Sequence, residues 1–126
     1  MNNSSPIGIF DSGVGGLSVV SQISNVLPNE DLIYVADSKY SPYGNRSEKE
    51  IFIRSEKIIN LLIKKYHVKV IVIACNTATA ACIKELRDIF SIPIVGMEPA
   101  VKPANNLTKT KRVGILATTG TLKSSK

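Results

Sequence analysis

The sequence predicts an α/β fold in which a parallel sheet is flanked by helices. Short apolar runs rich in isoleucine and valine alternate with longer segments in which apolar residues recur at helical spacing. Repeated β-α units of this kind give a parallel sheet with helices on both faces. Polar residues directly follow several of the runs, as they do at the ligand-binding edge of such sheets. The length of 126 residues is enough for one domain with a real core.

The predicted strands share a short apolar run and lie at residues 7–10, 32–36, 68–74, 92–96 and 113–117. The run Val70-Ile71-Val72-Ile73 is β-branched throughout, which is typical of a strand buried on both faces. Pro93 suits the first position of a strand or an edge strand, because it cannot donate to a neighbouring strand.

Helices are predicted between these strands, at residues 17–27, 51–66 and 77–90, with a shorter helix from Glu98 towards Leu107. The segment Ser47-Glu48-Lys49-Glu50 has the form of a capping box, a hydroxyl followed three residues later by a carboxylate. It therefore predicts the start of the second helix.

The end of the chain repeats the pattern of its beginning. Val113-Gly114-Ile115-Leu116 followed by Thr-Thr-Gly-Thr echoes Ile7-Gly8-Ile9-Phe10 followed by Asp-Ser-Gly-Val. We therefore expect an incomplete first α/β domain at residues 1–98, and a connection with the start of a second domain at residues 99–126. Because no covering helix follows the fifth run, we expect the chain to be the N-terminal part of a longer architecture.

Composition and charge limit the classes of function that fit this sequence. The net charge is +6, but the basic residues are spread along the chain with little aromatic interleaving, so nucleic-acid binding is weakly supported. A small dianionic substrate fits the same charge. No apolar run approaches the roughly 20 residues of a membrane span, and the polar N-terminus does not resemble a signal peptide, which predicts a cytoplasmic protein. The two cysteines suggest neither a disulfide nor a metal site.

The polar residues that follow the predicted strands should meet along one edge of the sheet. They are Asp11-Ser12, Asp37, Cys75-Asn76-Thr77, Glu98 and Thr118-Thr119. The glycine-rich segment after Asp11-Ser12 would let backbone amides approach an anion closely. It fits neither nucleotide-binding glycine pattern, so a carboxylate ligand is as acceptable as a phosphate.

Cys75 is the strongest candidate for chemistry, because it ends a buried strand and precedes a helix. A helix N-terminus favours the thiolate, so Cys75 could be a nucleophile or a base towards a carbon acid. Each candidate also has a structural interpretation. Cys75 could be a small buried apolar residue, Asp11 a helix cap, Asp37 a turn former, Tyr43-Gly44 a simple turn, and Glu98 an N-terminal helix charge. Cys82 lies on an apolar helix stripe and should pack in the core, and His67 should be a solvated loop residue.

Three segments together closely resemble the aspartate/glutamate racemase family, and within it the glutamate racemases. They are Ile9-Phe10-Asp11-Ser12-Gly13-Val14-Gly15-Gly16-Leu17, Tyr40-Ser41-Pro42-Tyr43-Gly44 and Ile73-Ala74-Cys75-Asn76-Thr77-Ala78-Thr79. The resemblance implies cofactor-independent interconversion of L- and D-glutamate, which supplies D-glutamate for bacterial peptidoglycan. It also implies two similar α/β domains, of which this chain supplies most of the first and the first strand of the second.

The resemblance assigns roles to individual residues. It makes Cys75 the cysteine that faces D-glutamate and Asp11 the group that assists its proton transfers. The substrate would be held by Asp11, Ser12, Tyr43, Gly44, Asn76, Thr77 and Thr119. The family's second cysteine lies in a downstream Cys-Thr-His segment outside these 126 residues, and Cys82 cannot replace it.

Other interpretations remain open at this stage. The chain could be a relative that racemises aspartate, or a silent remnant that binds a carboxylate ligand or a protein partner. The resemblance implies glutamate as the small-molecule partner. The sequence pattern itself predicts no metal site and no membrane partner, and a homo-oligomer stays open.

Overall fold

The structure is a computed structural model and describes residues 4–123. The elements follow the predicted β-α order. They are β1 (Ile7–Asp11), α1 (Leu17–Val26), β2 (Leu32–Ala36), α2 (Glu48–Tyr66), β3 (Val70–Ile73), α3 (Asn76–Ile89), β4 (Ile94–Gly96), α4 (Val101–Leu107) and α5 (Thr119–Lys123). Two single 3-10 turns, Ser38–Tyr40 and Tyr43–Asn45, lie between β2 and α2.

The four strands of the described chain form one parallel sheet in the order β2-β1-β3-β4. In register, Ile7 pairs with Leu32 on one side and with Val70 on the other. Because all the strands are parallel, their carboxyl ends lie at the same edge. β4 is at the end of the sheet and begins just after Pro93, which confirms the prediction of an edge strand.

Both faces of the sheet are covered by helices, and alternate residues of each strand point to opposite faces. On one face the larger core joins Phe10, Ile71 and Ile73 to apolar residues of α2 and α3. On the other face a smaller core contains Ile7, Ile9, Val72 and Ala74. The α1 residues that pack against this core are partly buried. Cys82 is 1% exposed within the larger core, as the sequence predicted.

The second helix starts at the predicted capping box. The Ser47 hydroxyl accepts a hydrogen bond from the Glu50 amide at 3.3 Å, and the Glu50 carboxylate accepts one from the Ser47 amide at 3.0 Å. These two bonds satisfy amides that have no partner within the helix. Exposed His67 ends the helix in the left-handed conformation, with φ of 51°.

The prediction of a fifth strand at residues 113–117 was wrong for this structure. The segment pairs with no strand of the described chain, and Leu116 is fully exposed. A β-strand is defined by hydrogen bonds to a neighbour, and an apolar run alone does not provide one. A short helix, α5, follows this segment, where none was expected, and β3, β4 and α4 begin two to three residues later than predicted. Among residues 4–123, no helix combines the length and the apolar character that a membrane span requires.

Candidate active site

The carboxyl ends of β1, β2 and β3 bring three candidate segments together. The Asp37 amide donates to the Asp11 carbonyl at 2.9 Å, and the Ala74 amide donates to the Phe10 carbonyl at 2.8 Å. These bonds continue the sheet past the last paired residues. The residues after the three strands are therefore held side by side, as the sequence predicted.

Cys75 joins β3 to α3 and is the N-cap residue of that helix. Its Sγ accepts a hydrogen bond from the Ala78 amide at 3.4 Å and lies 3.6 Å from the Ser12 hydroxyl. The side chain is 6% exposed. The sulfur is thus buried at the N-terminus of α3, between the Ala78 amide and the Ser12 hydroxyl.

Asp11 ends β1 and is 7% exposed. Its Oδ2 accepts a hydrogen bond from the Gly16 amide at 2.9 Å, so the carboxylate closes the glycine-rich loop just before α1. Tyr34 stands beside this loop and donates its hydroxyl to the Gly13 carbonyl at 2.7 Å. Burial raises the pKa of Tyr34, and the charges of Asp11 and Cys75 raise it further. The loop, the carboxylate and the thiol thus share one neighbourhood.

Asp37 organises the loop that carries the predicted residues Tyr43 and Gly44. It accepts the Tyr43 hydroxyl at 2.6 Å and both Nε and Nη2 of Arg54, at 2.9 and 2.8 Å. Burial alone would raise the pKa of Asp37, but the hydrogen bonds from Arg54 and Tyr43 outweigh it and lower that pKa below its ordinary value. Burial and the bond to Asp37 raise the pKa of Tyr43. The turn-forming interpretation of Asp37 therefore has direct support.

Thr77 and Gly44 meet at a residue to which the resemblance gave no role. The Thr77 hydroxyl lies 3.1 Å from the Thr118 hydroxyl, and a Cβ atom placed on Gly44 would approach Thr118 Cγ2 to 2.7 Å. Thr119, which was the predicted contact, is exposed at the start of α5. Asn76 is exposed at the first position of α3.

A cleft of about 640 Å³ opens at this edge of the sheet. Asp11, Asn76 and Thr77 line it, together with residues 99–101 and 113–118. This volume lies within the usual range of small-molecule sites, about 300–1,000 Å³. Glu98 lies outside this cleft and lines a neighbouring one, so the structure does not bring it to Asp11 and Thr77.

Arg54 and Tyr34 are neighbours of the site that the sequence analysis did not identify, whereas Thr118 was expected at this edge but its contact with Thr77 was not. Arg54 lies 17 residues from Asp37 along the chain, and Thr118 lies 41 residues from Thr77. No local spacing rule reports contacts over such distances. For Tyr34 a signal existed, because a tyrosine two residues before the end of a strand lies close to the rim where the strand ends.

The lowered pKa of Asp37 predicts a dependence of stability on pH. The unfolded chain binds a proton at Asp37 near the ordinary value of 3.8, and the folded chain binds it only at lower pH. Stability from this group is therefore complete above that value and is lost as pH falls through the lower folded pKa. We expect Asp37→Asn to cost about 2 kcal/mol of unfolding free energy at neutral pH.

Urea unfolding of the wild-type chain and of Asp37→Asn, at neutral pH and at about pH 3, tests this prediction. The difference in unfolding free energy between the two proteins should shrink in acid. Asp31→Asn, at an exposed position, is the control. A difference that stays constant over this range would contradict the assignment of the stabilising charge to Asp37.

Fold and site together define an α/β protein with a thiol and a carboxylate buried at the carboxyl edge of a parallel sheet. The Asp/Glu/Hydantoin racemase family matches residues 7–125, and the chain belongs to this family. The match includes the segments around Asp11, Tyr43 and Cys75 on which the resemblance was based.

Over the matched region, individual relatives are identical to the chain at slightly more than half of the positions. Glutamate racemase of Ectopseudomonas mendocina is 56% identical over an alignment of 128 positions, which covers 100% of this chain and 48% of that protein. Glutamate racemase of Methylococcus capsulatus is 54% identical, over 98% of this chain and 45% of that protein. The chain therefore spans about half the length of these relatives.

A solved structure of the same class matches in three dimensions. Escherichia coli glutamate racemase, in complex with L-glutamate and the activator UDP-MurNAc-Ala, superposes with a TM-score of 0.89 and 44% identity. The superposition covers 96% of this chain and 46% of that one. The four-stranded parallel sheet with its helices is thus the architecture of the corresponding part of a glutamate racemase.

Proposed function

We propose that this chain carries one half of a glutamate racemase active site, the half that acts on D-glutamate. The observation that carries the proposal is the position of Cys75. Its sulfur is held at the N-terminus of α3 by the Ala78 amide, beside Ser12 and on the same rim as Asp11. The relatives named as glutamate racemases favour glutamate over aspartate as the substrate.

In the proposed step the Cys75 thiolate removes the α-proton of D-glutamate. The C–H electron pair moves towards the α-carboxylate, and the sulfur becomes a thiol. Asp11 assists this proton transfer. Because the α-proton is very weakly acidic, fixed donors must stabilise the carbanion. The Ser12, Asn76 and Thr77 side chains supply such donors at the rim, whereas the backbone near Gly44 contributes to substrate binding.

Inversion needs a second acid on the opposite face of the α-carbon, because one base tends to return the proton to the face from which it came. The other cysteine of the chain does not reach the site. Cys82 is buried in the core on the α2 side of the sheet, where its thiol donates to the Ala78 carbonyl at 3.3 Å. We therefore assign the second acid to a polypeptide that corresponds to the unmatched half of the relatives.

The same polypeptide would complete the two-domain organisation, with residues 1–98 in the first domain and residues 99–126 leading into the second. The exposed apolar segment 113–117 supports this proposal, because pairing with a further strand would cover it. We place the complete enzyme in the cytoplasm, where it would supply D-glutamate for peptidoglycan and so maintain cell shape.

Proton NMR of D-glutamate in D2O tests the proposal. We expect the α-proton signal to decay in the presence of the chain, and the decay to vanish in Cys75→Ser. Cys82→Ala is the matched control, since it removes the other thiol and should retain exchange. Chiral analysis of the sample reports whether L-glutamate forms, and a parallel sample with D-aspartate reports the substrate preference.

Two outcomes would overturn the proposal. One is exchange that persists unchanged in Cys75→Ser. The other is a folded chain that neither binds D-glutamate nor exchanges its α-proton, alone or mixed with the unmatched half of the E. coli racemase. Binding without exchange under both conditions would favour a silent ligand-binding protein.

A further inference from the structure

We propose that Arg54 is a positioning residue that sets the affinity of the site for its substrate by fixing the loop around Tyr43 and Gly44. The inference deepens the proposed function and rests on it. Arg54 lies on α2 and contacts Asp37 and Tyr40 of this loop. It therefore acts on the substrate through these residues and not directly.

Arg54 is the centre of the contacts that hold this loop, which spans residues 37–46. Its guanidinium makes two hydrogen bonds to the two oxygens of Asp37, and Asp37 accepts the Tyr43 hydroxyl. The guanidinium also stacks on the Tyr40 ring, 3.8 Å from its centre. Arg46 lies over the same ring and donates its Nε to the Tyr40 carbonyl. One side chain thus connects Asp37 and Tyr40, and through Asp37 also Tyr43, to a long helix.

The loop contacts the residues at the carboxyl edge of the sheet, so its position affects theirs. Gly44 packs against Thr118, whose hydroxyl is 3.1 Å from that of Thr77, and Thr77 is in the first turn of α3, close to Cys75. The α2 helix itself is packed firmly, with Ile51 and Ile58 buried in the larger core. A shift of the loop would move the Gly44 backbone without moving Cys75, which is fixed by β3 and α3.

The arrangement therefore predicts a specific effect on binding. Loss of Arg54 should weaken the affinity for D-glutamate and leave the rate of proton removal at saturation nearly unchanged. A purely structural role predicts something else, namely less folded protein with normal affinity in the fraction that is folded. Lysine should restore the affinity only in part, because an ammonium group cannot reproduce a planar two-pronged bond or the stacking on Tyr40.

The experiment compares Arg54→Met, Arg54→Lys and Arg87→Met. Arg87 is the matched control, because it also makes two hydrogen bonds from a helix to the sheet, through Nε and Nη2 to the Ile94 carbonyl, away from the loop. For Arg54→Met we expect the Kd for D-glutamate to rise about tenfold or more. Exchange at saturating D-glutamate should stay within about twofold of the wild-type rate, because Cys75 is not displaced.

Amide hydrogen exchange supplies a readout that needs no ligand. The Arg46 amide donates to the Tyr43 carbonyl at 3.0 Å, and this bond should open more often in Arg54→Met but not in Arg87→Met. Equal Kd values in the two methionine variants would overturn the inference, as would unchanged protection of the Arg46 amide. If the wild-type chain binds no D-glutamate, alone or mixed with the unmatched half of the E. coli racemase, the proposed function fails, and protection of the Arg46 amide alone decides whether Arg54 fixes the loop.

Discussion

Replacement of Asp11 by asparagine is expected to slow α-proton exchange of D-glutamate about 100-fold or more, with the fold preserved. The carboxylate is buried at the end of β1 and lies on the same rim as Cys75. Asparagine keeps the shape of the side chain and an oxygen for the Gly16 amide, which now donates to Oδ2 at 2.9 Å. It removes the charge and the ability to take up a proton. The loss should therefore concern chemistry and not loop structure.

The measurement is the exchange rate in D2O at saturating D-glutamate, with the unfolding free energy measured beside it. Asp31→Asn is the control, because it makes the same chemical change at an exposed position. If Asp11→Asn retained the wild-type rate, Asp11 would be only the residue that closes the glycine-rich loop. The sequence left open that Asp11 caps the helix; in the structure the N-cap residue of α1 is Gly16, and Asp11 bonds the amide of that residue.

Sequence patterns predicted the sheet well because its strands carry their own signal. The runs before Asp11, Asp37 and Cys75 are apolar on both sides of the strand, and the helices between them have apolar residues at regular spacing. The run at 113–117 has the same composition, yet it forms no strand in the described chain. An apolar pattern shows that a segment is able to form a strand. Whether it does so depends on the presence of a neighbouring strand with which it can pair.

The site could be predicted to the extent that it follows from strand ends. Topology places the residues after β1, β2 and β3 on one rim, so Asp11, Asp37 and Cys75 could be grouped from the sequence alone. The side-chain contacts could not, because Arg54 reaches Asp37 from 17 residues away, and Thr118, although expected at this rim, reaches Thr77 from 41 residues away. The resemblance supplied the chemistry, and the structure supplied the contacts that hold the reacting groups.

Replacement of Gly16 by alanine in the glycine-rich loop is expected to lower the unfolding free energy by about 2 kcal/mol or more. A Cβ atom at this position would lie 2.8 Å from the Asp11 Cβ and 3.0 Å from both the Ala74 Cβ and the Tyr34 hydroxyl. The Cβ atoms of Asp11 and Ala74 are fixed to the backbone at the ends of β1 and β3, so they cannot move without disturbing the sheet, and the Tyr34 hydroxyl is held by its bond to the Gly13 carbonyl. Backbone strain is not the cause, since φ at Gly16 is −63°.

Gly15→Ala is the control that isolates this contact. A Cβ atom there would meet only Asp11 Oδ2, at an ordinary 3.6 Å, and no described glycine has a positive φ. We expect Gly15→Ala to change stability by no more than about 0.5 kcal/mol. Urea unfolding measures both variants, and the D-glutamate exchange rate should fall only in Gly16→Ala, because the added methyl displaces Asp11. Equal losses of stability in the two variants would mean that the loop does not depend on its close approach to the sheet.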